Sequence, residues 1–330
     1  MIFKCKGCGG NVVYSPEKKM MVCPYCDSED SYARKDKETS YGIGICPECN
    51  GTIPVEQFDS AMKCPYCDNS IIFNERVEGE YLPKFVIPFE LGKEKCKSLI
   101  RDKFKKYTFA PSDFLSEARL DSMQGVYVPF WFYDYDTNAT YDGEGTKVRT
   151  WSSGSYRYTE TSYYHIVRNM DISFQKLPAD ASIKMPDGIM DLMEPYDYSK
   201  FTDFKPEFLS GFNAEMYNMP AEEIEGRAHK KMEDDAKEIL RSSVSGYVTV
   251  STHGQNIRVK NQSSDYGLMP VWKYIYQYKN QDYPFYVNGE TGKIIGTAPL
   301  SKGKVWAYSL SLLALLEIIV ASINGILGLL

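Results

Sequence analysis

Eight of the nine cysteines in this chain lie within its first 67 residues. All eight stand in Cys-x-x-Cys pairs: Cys5/Cys8, Cys23/Cys26, Cys46/Cys49 and Cys64/Cys67. Such a pair presents two thiolates from one tight turn, and a second pair across a short hairpin completes a tetrahedron around a single ion. In both halves 14 residues separate the first pair from the second. The ligand set predicts two structural zinc ions, each closed by four thiolates; iron bound as in rubredoxin uses the same ligands and is the alternative metal. Four thiolates leave no open coordination position, so these ions are expected to hold small folds together rather than to catalyse.

The pairs belong to an internal repeat. Cys5, Cys8, Cys23 and Cys26 recur 41 residues later, and Val22-Cys-Pro-Tyr-Cys-Asp27 returns as Lys63-Cys-Pro-Tyr-Cys-Asp68. Two copies at one spacing predict two zinc ribbons, 1–38 and 39–78. Gly9-Gly10 and Gly51 follow the first pairs, where a permissive backbone helps the turn. The polar stretch Asp27 to Lys37 reads as a linker. The charges argue against nucleic acid as the ribbons' partner. Residues 46–70 carry Lys63 alone against Glu48, Glu56, Asp59 and Asp68, each zinc with four thiolates adds about two negative charges, and the whole chain has a formal net charge of -6. A protein partner is expected instead.

Beyond the ribbons, residues 79–300 read as a β-rich α+β domain. Val126 to Tyr135 is apolar on both alternating faces, as suits a strand buried on both sides. Arg149–Trp151 and Tyr156–Arg168 form a hairpin pattern about Ser153-Gly154. Trp272–Tyr278, Tyr283–Val287 and Ile294–Ile295 make a meander, the first two separated by residues 280–282. One helix is expected over Leu91 to Tyr107, with Cys96 on its apolar face. A second is expected over Ala221 to Leu240, with a stripe at Ile224, Ala228, Met232, Ala236, Ile239 and Leu240 and with Pro220 at its start.

From Val305 to Leu330 Glu317 is the only charged residue. At 1.5 Å per residue this segment spans the roughly 30 Å hydrocarbon core of a bilayer. Trp306 and Tyr308 sit where an aromatic belt would lie, and Lys302 and Lys304 precede it, so the bulk of the chain is expected in the cytoplasm, held to the cell membrane by a single span at 305–330. Glu317 is the membrane-partner candidate. A carboxylate within a span usually faces another helix or a polar path. Ala307, Ser311, Ala314, Ala321, Gly325 and Gly328 form a small-residue stripe near it, and such stripes let helices approach closely.

Other patterns carry less. Gly289-Glu-Thr-Gly-Lys293 lacks the first glycine of a phosphate loop, with Val287 in its place, and has Ile294 where Ser or Thr belongs, so it reads as a hairpin turn. His165, His229 and His253 are scattered, no Ser/His/Asp arrangement declares itself, and the tyrosines read as strand packing. No catalytic residue is named, and a non-enzymatic protein is expected.

The chain resembles a bacterial family of double zinc-ribbon proteins with a C-terminal membrane anchor. The residues that carry this are the ribbon cysteines, Gly125 to Tyr133, Met269-Pro-Val-Trp272, and Tyr286 to Gly296 running into Ser301 to Trp306. Members are often labelled TFIIB-type zinc-ribbon proteins. The resemblance implies a cytoplasm-facing membrane scaffold associated with phage-shock-protein-A-like and flotillin-like envelope-stress systems. It transfers the eight cysteines as zinc ligands. The alternative reading is a membrane-tethered regulator that binds nucleic acid through the ribbons.

Overall fold

A computed structural model of the chain describes residues 1–35 and 43–327. The ribbons supply eight short strands: β1 (Ile2–Cys5), β2 (Val13–Ser15), β3 (Met20–Val22), β4 (Tyr32–Lys35), β5 (Ile43–Ile45), β6 (Thr52–Pro54), β7 (Asp59–Lys63) and β8 (Ser70–Ile72). Within them β1 pairs β4, β2 pairs β3, β5 pairs β6 and β7 pairs β8, all antiparallel. The stretch read as a linker is therefore partly strand: Tyr32–Lys35 lies against Ile2–Cys5, because β1 is buried along its whole length and needs a partner for its backbone. Residues 27–31 of that stretch close the second Cys-x-x-Cys turn, with Cys23 N bonded to Ser28 O and Glu29 bridged to Val22; residues 36–37 and the boundary at 38/39 fall outside the described residues.

The body follows as β9 (Phe85–Val86), α1 (Lys93–Phe104), α2 (Glu117–Leu120), β10 (Gln124–Ser153), β11 (Tyr156–Asp180), α3 (Asp187–Met193), β12 (Thr202–Asp203), β13 (Asn213–Glu215), α4 (Ala221–Ser243), β14 (Thr249–Tyr278), β15 (Gln281–Asn288), β16 (Ile294–Ile295) and α5 (Lys302–Leu327). The architecture is α+β, with a ten-stranded mixed sheet in the order β12-β9-β14-β10-β13-β7-β8. β11 adds to the free length of β10, β15 adds to β14, and β16 adds to β15. The second ribbon's hairpin β7–β8 thus continues the central sheet through β13. The first ribbon contributes Phe3, Val12, Tyr14, Met21 and Cys23 to the same core that holds Phe89, Tyr127, Phe212 and Trp272.

Three strands are far longer than expected. β10, β11 and β14 leave the body together as a three-stranded antiparallel ribbon, with Thr146 opposite both Tyr163 and Thr249. The polar run Thr249–Asp265 lacks the alternation of a half-buried strand. It becomes one because β10 offers a complete row of backbone partners. One face of the ribbon is covered by α4, whose Ile224, Ala228, Met232, Ala236 and Leu240 are buried, while Ile239 points outward. Pro220 stands at the N-cap of this helix. The β10–β11 turn uses Gly154 with φ 59°, and the β14–β15 turn is the pair Lys279–Asn280, both with positive φ, rather than the segment 280–282. Half of the largest fully buried side chains come from β10 and β14: Tyr127, Phe132, Tyr133, Tyr135, Tyr274 and Tyr276.

α1 is shorter than expected and buries Cys96, Ile100 and Phe104, while Tyr107 is exposed. Burial pushes the Cys96 thiol up to about 12, with Glu17 adding to it, as befits a core residue. α5 stands apart. Its side chains are exposed from Lys302 to Ile323, and it is long and apolar enough to cross a membrane.

Candidate metal centres

Each Cys-x-x-Cys turn is built in the same way. The first cysteine donates its N–H to the carbonyl five residues on: Cys5 to Gly10 (2.9 Å), Cys23 to Ser28 (3.0 Å), Cys46 to Gly51 (2.9 Å) and Cys64 to Asn69 (2.8 Å). Its own carbonyl accepts from the residue four on: Gly9 (3.0 Å), Asp27 (2.9 Å), Asn50 (3.0 Å) and Asp68 (3.0 Å). Closing both bonds forces that fourth residue into the left-handed region, with φ of 74°, 57°, 57° and 54° in turn. Gly, Asn and Asp are the residues that adopt it most readily. The permissive position is therefore Gly9 and Asn50, not Gly10 and Gly51.

Gly10 and Gly51 are small for another reason. A Cβ on Gly10 would lie 2.5 Å from the Tyr25 ring, and one on Gly51 would lie 2.7 Å from the Tyr66 ring. The tyrosine of each Cys-Pro-Tyr-Cys turn thus packs against the facing turn, although 67% of Tyr25 and 68% of Tyr66 stays exposed.

These turns bring the sulfurs into two clusters, each with all four Sγ atoms within 4.8 Å of one another. In the first, Cys5 Sγ is 3.7 Å from Cys26 Sγ and Cys8 Sγ is 3.5 Å from Cys23 Sγ. In the second, Cys46–Cys67 is 3.7 Å and Cys49–Cys64 is 3.8 Å. A tetrahedron with metal–sulfur bonds of about 2.3 Å has edges of about 3.8 Å. The donor set and the spacing both fit zinc, and each cluster can hold one ion.

N–H groups aimed at sulfur favour the thiolate. Gly7 N lies 3.3 Å from Cys5 Sγ and Gly10 N lies 3.4 Å from Cys8 Sγ. The Cys8 and Gly7 N–H groups lower the Cys5 thiol to about 6. The Ser28 hydroxyl and N–H lower Cys26, and the Gly51 N–H lowers Cys49. At Cys8 the Gly10 N–H also works downward, but the neighbouring Cys23 and Cys26 thiols outweigh it and lift Cys8 to about 12. Burial raises Cys46, and it lifts Cys67 to about 12. Four adjacent thiols cannot all ionise against one another. A dication removes that repulsion, and its binding releases the remaining protons.

The remaining residues singled out from the sequence sit elsewhere. Glu317 is exposed on α5, as are Ala307, Ser311, Ala314 and Ala321, while Gly328 lies outside the described residues. Two of the three histidines are not scattered in space. His165 Nε2 is 2.8 Å from Asp142 Oδ2, and His253 Nδ1 is 3.6 Å from Asp142 Oδ1, on an exposed face of the long ribbon. Only the pairing of β10 with both β11 and β14 brings them together, so no local spacing could have shown it. A third carboxylate group, Glu94, Glu117 and Asp121, already encloses a cation. It holds the buried Lys97 ammonium, 2.6 Å from Glu94 and 2.8 Å from Glu117 and bonded to Asp121.

Over 314 residues the chain is 37% identical to a Bacillus subtilis (strain 168) protein described as uncharacterized protein YdjG. The match covers 93% of this chain and 92% of that protein. The chain belongs to the YdjG family. No protein-family model and no solved structure matches it.

Proposed function

We propose that the chain is a non-enzymatic, membrane-anchored zinc-binding adaptor that holds a cytoplasmic protein at the membrane. The observation that carries this reading is how α5 leaves the body. Ser301 N donates to Phe109 O at 2.8 Å, Lys304 Nζ reaches Ala110 O at 2.7 Å, and the Tyr308 ring meets Phe109 edge-on at 5.4 Å. An apolar helix with exposed sides and a clamped base suits a fixed anchor better than a loose tether. A bilayer would cover its surface, which water does not favour.

The closed zinc sites support a structural or docking role, since four thiolates leave no position for substrate. The lysines at 302 and 304 support an orientation with the sheet and ribbons in the cytoplasm. The partner expected from the family resemblance is a phage-shock-protein-A-like or flotillin-like protein of the envelope-stress response. Glu317 is the residue within the span assigned to a second membrane helix.

The test is affinity purification of the full chain from membranes, with mass spectrometry of what accompanies it. The reading expects the chain in the membrane fraction and a cytoplasmic protein retained with it. Glu317→Leu is expected to reduce recovery of any membrane-embedded partner. Recovery of the chain in the soluble fraction would overturn the anchor. DNA binding at low salt, lost as salt rises, would favour the membrane-tethered regulator instead.

A further inference from the structure

β11 is an edge strand. Among the described residues it pairs only with β10, so one row of its backbone N–H and C=O groups faces outward from Tyr156 to Phe174. At about 3.4 Å per residue this row is roughly 60 Å long. α4 covers a face of the ribbon but not this edge. A long, regular, unpaired edge invites another strand. We propose that the second strand is β11 of another copy of this chain, paired antiparallel about Tyr164, so that two three-stranded ribbons join into one six-stranded sheet.

The charges on the strand select both the occupant and the register. Between Tyr156 and Phe174 the fixed charges are Arg157, Glu160, Arg168 and Asp171. In a two-fold antiparallel pair, residue i lies opposite residue S − i, with S constant. Opposed residues share a face and a hydrogen-bonding direction, both of which alternate along the strand, so S must be even. Of the four possible oppositions of unlike charge, Arg157 with Glu160 gives 317 and Arg168 with Asp171 gives 339, both forbidden. Glu160 with Arg168 gives 328, and Arg157 with Asp171 gives 328 as well. One register therefore matches every charge on the edge to its opposite, and the two-fold axis repeats both pairs.

The two pairs lie on opposite faces. Glu160 and Arg168 are on the side of α4, where Arg168 also reaches Ser243 O at 3.2 Å. Arg157 and Asp171 are on the other side, where Asp171 accepts from Asn138 at 2.9 Å and from Lys260 Nζ at 2.5 Å through one oxygen, Oδ1. The same register sets the exposed Val167 against Thr161 and the exposed Tyr158 against Met170 of the second copy. Like charges directly opposite one another destabilise a sheet and unlike charges stabilise it. The outer edge of β14 between Thr249 and Lys260 does not offer this. It carries Arg258 and Lys260 and no carboxylate, so self-pairing there gains no ion pair.

The test uses the full chain in detergent and in nanodiscs, with its mass measured by light scattering at micromolar concentration. The expected protein mass is twice 37.7 kDa. Glu160→Arg should weaken the dimer at least tenfold, and Glu160→Arg with Arg168→Glu should restore it. Because Arg168 also serves α4 and Asp171 pairs Lys260 within the chain, the swap is repeated with Arg157→Glu and Asp171→Arg in a Lys260→Glu background, which keeps the pair inside the chain. Unchanged zinc content and melting temperature establish that each variant is folded. Tyr164→Cys places two cysteines across the axis at Cα separations of about 4.5–5.5 Å, within disulfide reach, so mild oxidation should give a reducible dimer. Thr249→Cys should not. A monomeric wild-type mass, or a dimer indifferent to both charge reversals and not cross-linked through Tyr164→Cys, would overturn the proposal. The second outcome would assign association to α5.

Discussion

Lys4 Nζ lies 2.8 Å from Glu48 Oε2, and this ion pair joins the first ribbon to the second. The lysine side chain is almost wholly buried and also donates to Asn11 Oδ1 at 2.6 Å. A buried ammonium that loses its carboxylate keeps its desolvation cost without the compensating attraction. Glu48→Ala is therefore expected to cost roughly 1 kcal/mol, the half-exposed carboxylate limiting the loss. Lys4→Met, which removes the charge and keeps the stem, should cost less. Urea midpoints of the zinc-loaded protein check the order.

The same contact bears on whether the ribbons unfold independently. Cys5 and Cys23 lie in the main core with Phe89 and Phe212, and Met1 bonds to Ile72 O across the ribbon boundary. Cys46 and Cys64 lie in a small separate cluster with Ile53, Ile71 and Phe73. Elemental analysis should find two zinc ions per chain. Cys23→Ser and Cys64→Ser should each lose one. Cys23→Ser should also lower the melting temperature of the whole body, whereas Cys64→Ser should disturb mainly its own hairpins. Equal effects on the body would show that the second ribbon's sheet contact through β13 matters as much as the first ribbon's core contact.

α4 shields the stem of the long ribbon, and Met232 is its most central buried side chain, beside Tyr133 and Tyr135. Met232→Ala removes several buried methylenes from a site walled by strands that cannot easily collapse. It is expected to cost about 3 kcal/mol. Hydrogen exchange should show the loss concentrated in α4 and in β11 from Ile166 to Leu177. A uniform loss across the body would mean that the ribbon and the body unfold as one unit.

The ribbon cysteines were legible because metal chemistry fixes both residue type and spacing, and the repeat at 41 residues doubled the signal. α4 was legible from its stripe, and α5 from a long apolar run broken by one charge, Glu317. The length of β10, β11 and β14 was not. Between Thr249 and Lys260 the apolar alternation is confined to Ile257 and Val259, which pack beneath α4, and the rest is held by pairing with β10. Nor could the sequence show that β7 enters the central sheet, since that depends on β13, a three-residue strand with no pattern of its own. The meeting of His165 and His253 at Asp142 depends on the same long-range register.

Asp180 provides a pH signature away from the cysteines. Its side chain is fully buried at the end of β11, with Oδ1 2.6 Å from Arg227 and Oδ2 without a hydrogen-bond partner among the described residues. Burial raises its carboxyl from 3.8 to about 6, against the pull of Arg227. A folded-state value above the unfolded one means that the folded chain holds the extra proton between those limits. The stabilisation is thus fully present below about pH 4 and is lost as pH rises through about 6. Asp180→Asn removes this titration. The stability of the wild type relative to Asp180→Asn should therefore fall between pH 4 and pH 6, by roughly 2–3 kcal/mol. Taking the difference at each pH cancels the protonation of the zinc ligands, which both proteins share. A difference that stays flat over this range would mean that Arg227 holds the carboxylate ionised, and that its attraction outweighs the cost of burial.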